Sequence, residues 1–228
     1  MTADELIALH PRLWHMAADA SWPAIQKYGL LSTSSLLDLY GYDGDKRLAL
    51  ESIKRAESVK IIAPGLPGAT VRDQKPMSDK ALKKCLQDGL TPIEWYQSLN
   101  EKVFFWLTRA RLQTLLAAYA HSPQIVLTLD TATVVAAHAE NILLCPINSG
   151  STIMNPAPRG AESFLAIEDF PYENWRLKRG NKRKAVVELV VTGGVPDVKD
   201  HVLAVHRIVD GAVAEIWRRP GDIGDVGP

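Results

Sequence analysis

Apolar runs of strand length are interspersed irregularly along this chain with segments of helical spacing. The most valine-rich run lies in "KAVVELVVTGGVPD", residues 184–197, and is apolar on both sides of one acid, Glu188. Burying a carboxylate there is expensive unless its charge is paired or used. "QIVLTLDT" is the clearest strand in the middle of the chain, and "VFFWLT" and "ILLCPI" read as two more. A short apolar strand is expected at residues 13–16, and "AVVELVV" and "HVLAVHRIV" are expected to be the last strands. In "SVKIIAPGLPGATVRDQKP", two β-rich stretches flank a Pro/Gly turn, which predicts a hairpin leading into a loop at residues 72–76.

Helices are expected between these strands. Ser21 or Asp19 is placed to cap the first, with Pro23 in its opening turn and Gly29 just past its end. "TSSLLDLY" reads as a second, stopped at Gly41, and charged helical sequence follows in "GDKRLALESIKRAE". "SDKALKKCLQDGL" and "TPIEWYQSLNEK" begin at the good N-cap residues Ser78 and Thr91. "RARLQTLLAAYA" and "ATVVAAHAE" complete the set. Residues 148–160, rich in Gly, Pro, Asn and Ser, form a loop, and the tail beyond about residue 219 is expected to be flexible. Strands and helices intermix without regular βαβ alternation, so the fold class is α+β, a single domain over residues 1–228.

Composition narrows the function classes. With 46% hydrophobic and 23% charged residues, the chain is ordinary globular protein rather than disordered. Lys plus Arg equals Asp plus Glu at 26 each, so a globally basic nucleic-acid binder is not indicated, though a local patch stays open. Cys85 and Cys145 fit no metal or redox spacing, and the six histidines show no HExxH-type pattern, so no metal site is expected. No apolar run approaches membrane-spanning length, and two free thiols without a signal peptide lead us to expect a cytoplasmic setting.

Four features carry candidate chemistry, each beside a plainer alternative. His15 follows Trp14 at a strand end, where a lone histidine is more often structural. Phe104, Phe105 and Trp106 would by default fill the core. "RLKRGNKRK" holds six basic residues (Arg176, Lys178, Arg179, Lys182, Arg183 and Lys184) and reads either as a solvated turn or as a phosphate-facing patch. Glu188 is hardest to dismiss, yet on an edge strand or a one-sided sheet it would simply point to water.

In order, these features resemble the ADP-ribosyltransferase superfamily, and specifically the DarT-type nucleic-acid ADP-ribosyltransferases. "LWHMAADASWPAIQKYGLLS" is similar to the family's aromatic–His strand end, helix and "GLLS". "KVFFWLTRARL" is similar to its aromatic strand and Arg-containing turn. "RGNKRKAVVELVVTGGVPDV" looks like its basic lead-in, Glu-bearing strand and Val-Pro turn. The chain departs from the pattern in the longer, more helical stretch 33–101, and only "DFPYENW" stands where "PFPYENW"-like sequence is expected.

The resemblance implies a split, mostly antiparallel sheet around an NAD cleft, flanked by helices. It implies transfer of ADP-ribose from NAD, the co-substrate, to a nucleobase in DNA or RNA, with single strands favoured because the base must be unstacked. A bacterial toxin or antiphage effector, with an antitoxin protein as partner, is the implied setting. Glu188 would be the catalytic carboxylate and His15 a ribose contact. Phe105 or Trp106, whichever faces the cleft, would stack on nicotinamide. Arg109 matches the family's arginine for phosphates or acceptor, Arg72 is a second match, and Asn148 and Ser149 would touch substrate. The basic run would meet nucleic-acid phosphates. Hydrolysis of NAD, RNA 2′-phosphotransfer and a catalytically silent binding module remain the alternatives.

Overall fold

The computed structural model describes residues 1–153, 155–221 and 227–228. In chain order it forms α1 (Ala3–Leu9), β1 (Arg12–Ala18), α2 (Trp22–Tyr28), β2 (Leu30–Leu31), α3 (Thr33–Leu39) and α4 (Gly44–Glu51). The hairpin β3 (Val59–Ile61) and β4 (Ala69–Val71) leads to α5 (Asp79–Cys85), α6 (Pro92–Asn100), β5 (Lys102–Trp106) and α7 (Arg109–Ala118). Next come β6 (Gln124–Asp130), α8 (Thr131–His138), β7 (Ile142–Cys145) and α9 (Tyr172–Arg179). The chain ends with β8 (Glu188–Thr192), β9 (Gly194–Val195), β10 (Val202–Val209) and β11 (Ala212–Arg218). The α+β class holds, and no helix among the described residues is long and apolar enough to cross a membrane.

Seven strands build one sheet in the order β11-β10-β6-β1-β5-β8-β7, every neighbouring pair antiparallel. β1 pairs with β6 along its whole length, from Arg12 opposite Asp130 to Ala18 opposite Gln124. It meets β5 only where Trp14 lies opposite Trp106. Past that point the ladder between β1 and β5 stops, and the sheet is split. Two short strands sit beside the split, β2 pairing with β9 through Leu30–Val195 and Leu31–Gly194. Glycine is required at this junction: Gly194 has φ +124°, and a Cβ on it would lie 2.4 Å from the Leu30 carbonyl oxygen.

One face of the sheet carries the main core. Leu13, Phe105, Leu127, Leu189, Val191 and Val205 pack there against Leu6 of α1, Val134 and Val135 of α8, and Phe170 and Tyr172 leading into α9. Pleating turns alternate residues to the other face, which is covered by two separate groups of helices. Leu112 of α7 packs on Trp14, Met16 and Val126, while α5 and α6 supply Leu82, Trp95, Tyr96 and Leu99 beneath Phe104. Local signals set the helix starts: Thr91 and Glu94 form a capping box with Pro92 in the first turn, and the Asp130 carboxylate accepts from the Ala132 N–H at 2.8 Å.

The structure adds elements that the sequence reading lacked: α1, the short pair β2 and β9, α9 and β11. The basic run is divided, and its second half, Lys182–Lys184, is an exposed 3₁₀ turn, as one of its two readings expected. Its first half is the last turn of α9, where Arg176, Lys178 and Arg179 meet the negative end of the helix dipole before Gly180 (φ +64°) ends the helix. β11 lacks a clear alternation because it is an exposed edge strand; with it, the last strands are β10 and β11. Of the tail expected to be flexible, residues 222–226 lie outside the described residues, and Gly227 is buried with its Cα side against the His206 ring.

Candidate functional site

Glu188 is the first residue of β8, not its middle, and it does not point to water: 3% of it is exposed. Leu189 and Val191 enter the main core, so alternation sends Glu188 to the opposite face. Its partners across the ladder are Trp106 on β5 and Cys145 on β7, and Trp106 in turn opposes Trp14 on β1. These four residues share one face, at the end of the sheet where the α7 and α5–α6 groups adjoin. Trp106 packs at the margin of the first group and Phe104 at the margin of the second.

The carboxylate is held by the loop that follows β7. Ser149 is fully buried and donates to Glu188 Oε2 from its hydroxyl at 2.7 Å and its N–H at 3.3 Å. Burial pushes the Glu188 pKa up to about 7, against the opposing pull of the Ser149 bonds, the Cys145 thiol and the Arg111 charge. The carboxyl is therefore poised between its two forms near neutrality. Burial also raises the Cys145 thiol, and the Glu188 charge adds to it, so Cys145 stays protonated and is no nucleophile.

Arg159 shapes this loop from within. It is 1% exposed, and its guanidinium donates to the carbonyls of Asn148 at 3.2 Å, Ala157 at 2.5 Å and Ser151. Those carbonyls have no ladder to join, so one buried fork of donors satisfies them together. Arg179 of α9 donates to the Pro146 carbonyl, which ties the basic helix to the same loop.

His15 lies at the split. Its Nδ1–H donates to the Phe104 carbonyl at 2.9 Å, bridging the strands just where their ladder has ended. A carbonyl only accepts, so the proton sits on Nδ1 and Nε2 carries the ring's lone pair. Desolvation lowers the His15 pKa to about 4, and the Arg72 charge contributes in the same direction. Arg72 stacks its guanidinium 4.3 Å from the Tyr119 ring centroid and donates to Gln124 at 2.8 Å.

The remaining residues named from sequence fall in different places. Phe105 is fully buried in the main core with no face free for a ligand, so of the two aromatics only Trp106 shares the Glu188 face. Arg109 opens α7, donates to the Gly227 carbonyl at 3.1 Å and lies 5.9 Å from the Trp14 ring; it is engaged with the C-terminal residues. Arg111, two positions on and unremarked in the sequence, is the α7 arginine whose charge acts on Glu188. Asn148 is exposed beside buried Ser149. Arg176 is paired with Glu173 at 2.6 Å, and Lys178 and Arg179 both lie over the Trp175 ring. Lys178, Lys182, Arg183 and Lys184 are exposed. A cavity of about 250 Å³ lies away from Glu188, between α7 and the β10–β11 turn, and Pro228 lines it.

Glu188, His15 and the residues that hold them all fall within one matched segment. Residues 11–202 match the Family of unknown function (DUF7002). The chain belongs to this family. The family's segment begins just before β1 and closes at the first residue of β10, so it contains His15, the split, Trp106, Ser149, Arg159 and Glu188. α1 and β11 lie outside it. No curated protein matches the chain.

Proposed function

We propose that this protein transfers ADP-ribose from NAD to an acceptor, a nucleobase in DNA or RNA being the favoured class. The observation that carries the reading is Glu188: a carboxylate held buried at the seam between two helix groups, with its pKa raised to about 7 and one oxygen fixed by Ser149. A buried carboxyl that serves only packing would be better replaced by an apolar residue, so its retention beside Trp106 calls for a chemical use. The split between β1 and β5 supports the same reading: His15 alternates with Trp14 and its ring lies 5.8 Å from that of Phe105, so it would reach a ligand on the Glu188 side through that gap in the ladder.

The residues suit the parts of the co-substrate. His15 Nε2, a lone-pair acceptor, would take a hydrogen bond from a ribose hydroxyl, and Trp106 would offer its ring to nicotinamide. In the reaction the bond between ribose C1′ and the nicotinamide nitrogen breaks, and nicotinamide leaves with the bonding pair. The ionised Glu188 carboxylate would stabilise the positive charge that develops on the ribose. The acceptor atom then bonds to C1′ and releases its proton, which a carboxylate of pKa near 7 is matched to receive. Ser149 orients that carboxylate. Exclusion of bulk water from Glu188 favours transfer over hydrolysis. The exposed Lys178, Lys182, Arg183 and Lys184, on and just after the α9 that grips the Ser149 loop, would meet the phosphates of a single strand, and an effector of this kind in a toxin–antitoxin system would require a neutralising protein partner.

Labelled NAD, incubated with separate pools of single-stranded DNA, RNA and protein, tests this directly. Label on nucleic acid with wild type and none with Glu188→Gln is the expected result. Label on protein alone would sink the nucleic-acid acceptor, and nicotinamide release without transfer would replace transferase by hydrolase. No rise in melting temperature at saturating NAD would count against any NAD enzyme.

A further inference from the structure

On the other side of the sheet the fold gathers a second set of polar groups. His138, the last residue of α8, places Nε2 2.7 Å from Asp197 Oδ1. His201, at the end of the 3₁₀ turn Val198–Asp200, places Nε2 3.2 Å from Asp197 Oδ2. The two imidazoles lie edge to face with centroids 5.5 Å apart. Their ligand atoms all fall within 4.8 Å of one another, and no other group of three His, Cys, Asp or Glu residues among the described residues does so. Val134 and Val135 of α8 and Val198 of the turn pack in the main core, so this cluster belongs to the face opposite Glu188.

We propose that His138, Asp197 and His201 form a binding site for a zinc-class divalent cation, which ties the end of α8 to the turn between β9 and β10. Two observations independent of each other support it. The first is geometric: around a tetrahedral zinc with ligand bonds of about 2.0–2.2 Å, neighbouring ligand atoms stand roughly 3.3–3.6 Å apart; the 3.2 Å separation to His201 lies close to that spacing, and the 2.7 Å hydrogen bond to His138 would open by roughly 0.6 Å as a metal replaces its proton. The second is an unmet need. His201 is 5% exposed, and neither ring nitrogen has a hydrogen-bond partner of good geometry, although Nε2 aims into the cluster. A buried imidazole without a well-formed hydrogen bond is costly, and a metal bond to Nε2 would satisfy that one of its two nitrogens.

The donor set selects the ion. Two imidazole nitrogens and one carboxylate suit zinc and its neighbours, and they do not suit magnesium or calcium, which favour all-oxygen cages. The Asp197 side chain is 40% exposed, so water reaches the fourth position. With three protein ligands drawn from two elements, the ion acts as a staple, closing the long loop between α8 and the turn. The histidine pattern in the sequence pointed away from a metal because His138 is distant from the Asp197–His201 pair, and only the fold joins them.

Titration of metal-free protein with Zn²⁺, followed by calorimetry and by melting temperature, tests the site. The expected result is one ion per chain and a higher melting temperature, both lost in Asp197→Asn and His201→Gln and kept in Glu188→Gln and in His121→Asn, a surface histidine outside the cluster. Should a variant fail to fold, Co²⁺ on wild-type protein gives a second readout: intense visible absorption of a four-coordinate site, abolished by one equivalent of Zn²⁺ and unaffected by excess Mg²⁺. Absence of stoichiometric binding to the wild type, or equal binding by Asp197→Asn, would overturn the proposal, as would displacement of Co²⁺ by Mg²⁺.

Discussion

Glu188 and Asp197 lie a few residues apart in the chain and occupy opposite environments. Glu188 is buried on the split face, meets Ser149, the Cys145 thiol and a more distant arginine charge, and is pushed toward its neutral form by burial. Asp197 is half exposed on the other side and stands between two histidines. Burial works against its charge, but the His138 hydrogen bond and the two histidine charges hold its pKa below the ordinary carboxylate value. The difference teaches where charge is functional. A carboxylate that is easily ionised is a ligand or an ion-pair partner, whereas one kept near neutrality by its surroundings is equipped to exchange a proton.

The largest effect expected from breaking this contrast belongs to Glu188→Gln. It should cut transfer by about a thousandfold or more, roughly 4 kcal/mol of barrier. Its fold should survive. The folded-state pKa of Glu188 lies above the unfolded one, so its favourable contribution is full below about pH 4.5 and is lost as pH rises through about 7. Above pH 7 the variant should consequently be as stable as wild type or more so, by up to about 3 kcal/mol. Activity runs the other way and should rise with pH, with a midpoint near 7, because the ionised carboxylate does the work. Chemical denaturation at pH 5 and pH 8, beside a pH–rate profile, separates the two trends; a midpoint near 4 would remove the special status of Glu188.

Arg159→Met ranks next. Removing the guanidinium strands the carbonyls of Asn148, Ser151 and Ala157 and frees the Ser149 loop, at a cost of about 3 kcal/mol by denaturant titration. Ser149→Ala leaves the loop in place but deletes the 2.7 Å bond that favours the charged form. The apparent pKa of Glu188 should then climb further, by about one unit or about 1.4 kcal/mol, and the activity midpoint with it. The smallest effect is that of Asp197→Asn in metal-free protein. Its ion pairs are partly solvated, and the variant should lose under about 1 kcal/mol, with the loss confined to pH above the lowered carboxylate pKa and absent in acid. A larger loss from Asp197→Asn than from Arg159→Met would invert the contrast.

Much of this was legible in the chain. The strands β5, β6, β7 and β10, the hairpin β3–β4 and the helices α2, α3 and α5 to α8 carry their own periodicity and caps, so local rules find them. α9 escaped because its surface is dominated by like charges and its apolar contacts are few, chiefly Tyr172 and Trp175. Arg111 and Arg159 escaped for another reason. An arginine in a helical or loop segment looks solvent-bound until the fold shows what lies above it, and neither residue sits in a recognisable spacing. Ser149 could be named as a loop polar group, but not as the hydrogen-bond donor that holds Glu188.

The sequence alone determined the α+β class, the aromatic strand, a histidine on the first strand and the presence of one acid in a valine run; it put that histidine at the strand's end, whereas pairing with β6 carries β1 on to Ala18 and leaves His15 at its middle. It did not determine which way that acid points. β8 is apolar on both faces, so it has no alternation from which to read an orientation. Likewise it offered both Phe105 and Trp106, and only the pairing of β5 with β8 assigned one to the core and the other to Glu188. Proton affinity and metal geometry depend on groups that meet from remote parts of the chain: Ser149 with Glu188, and His138 with Asp197 and His201. Such encounters are properties of packing, because desolvation and coordination act through space rather than along the backbone.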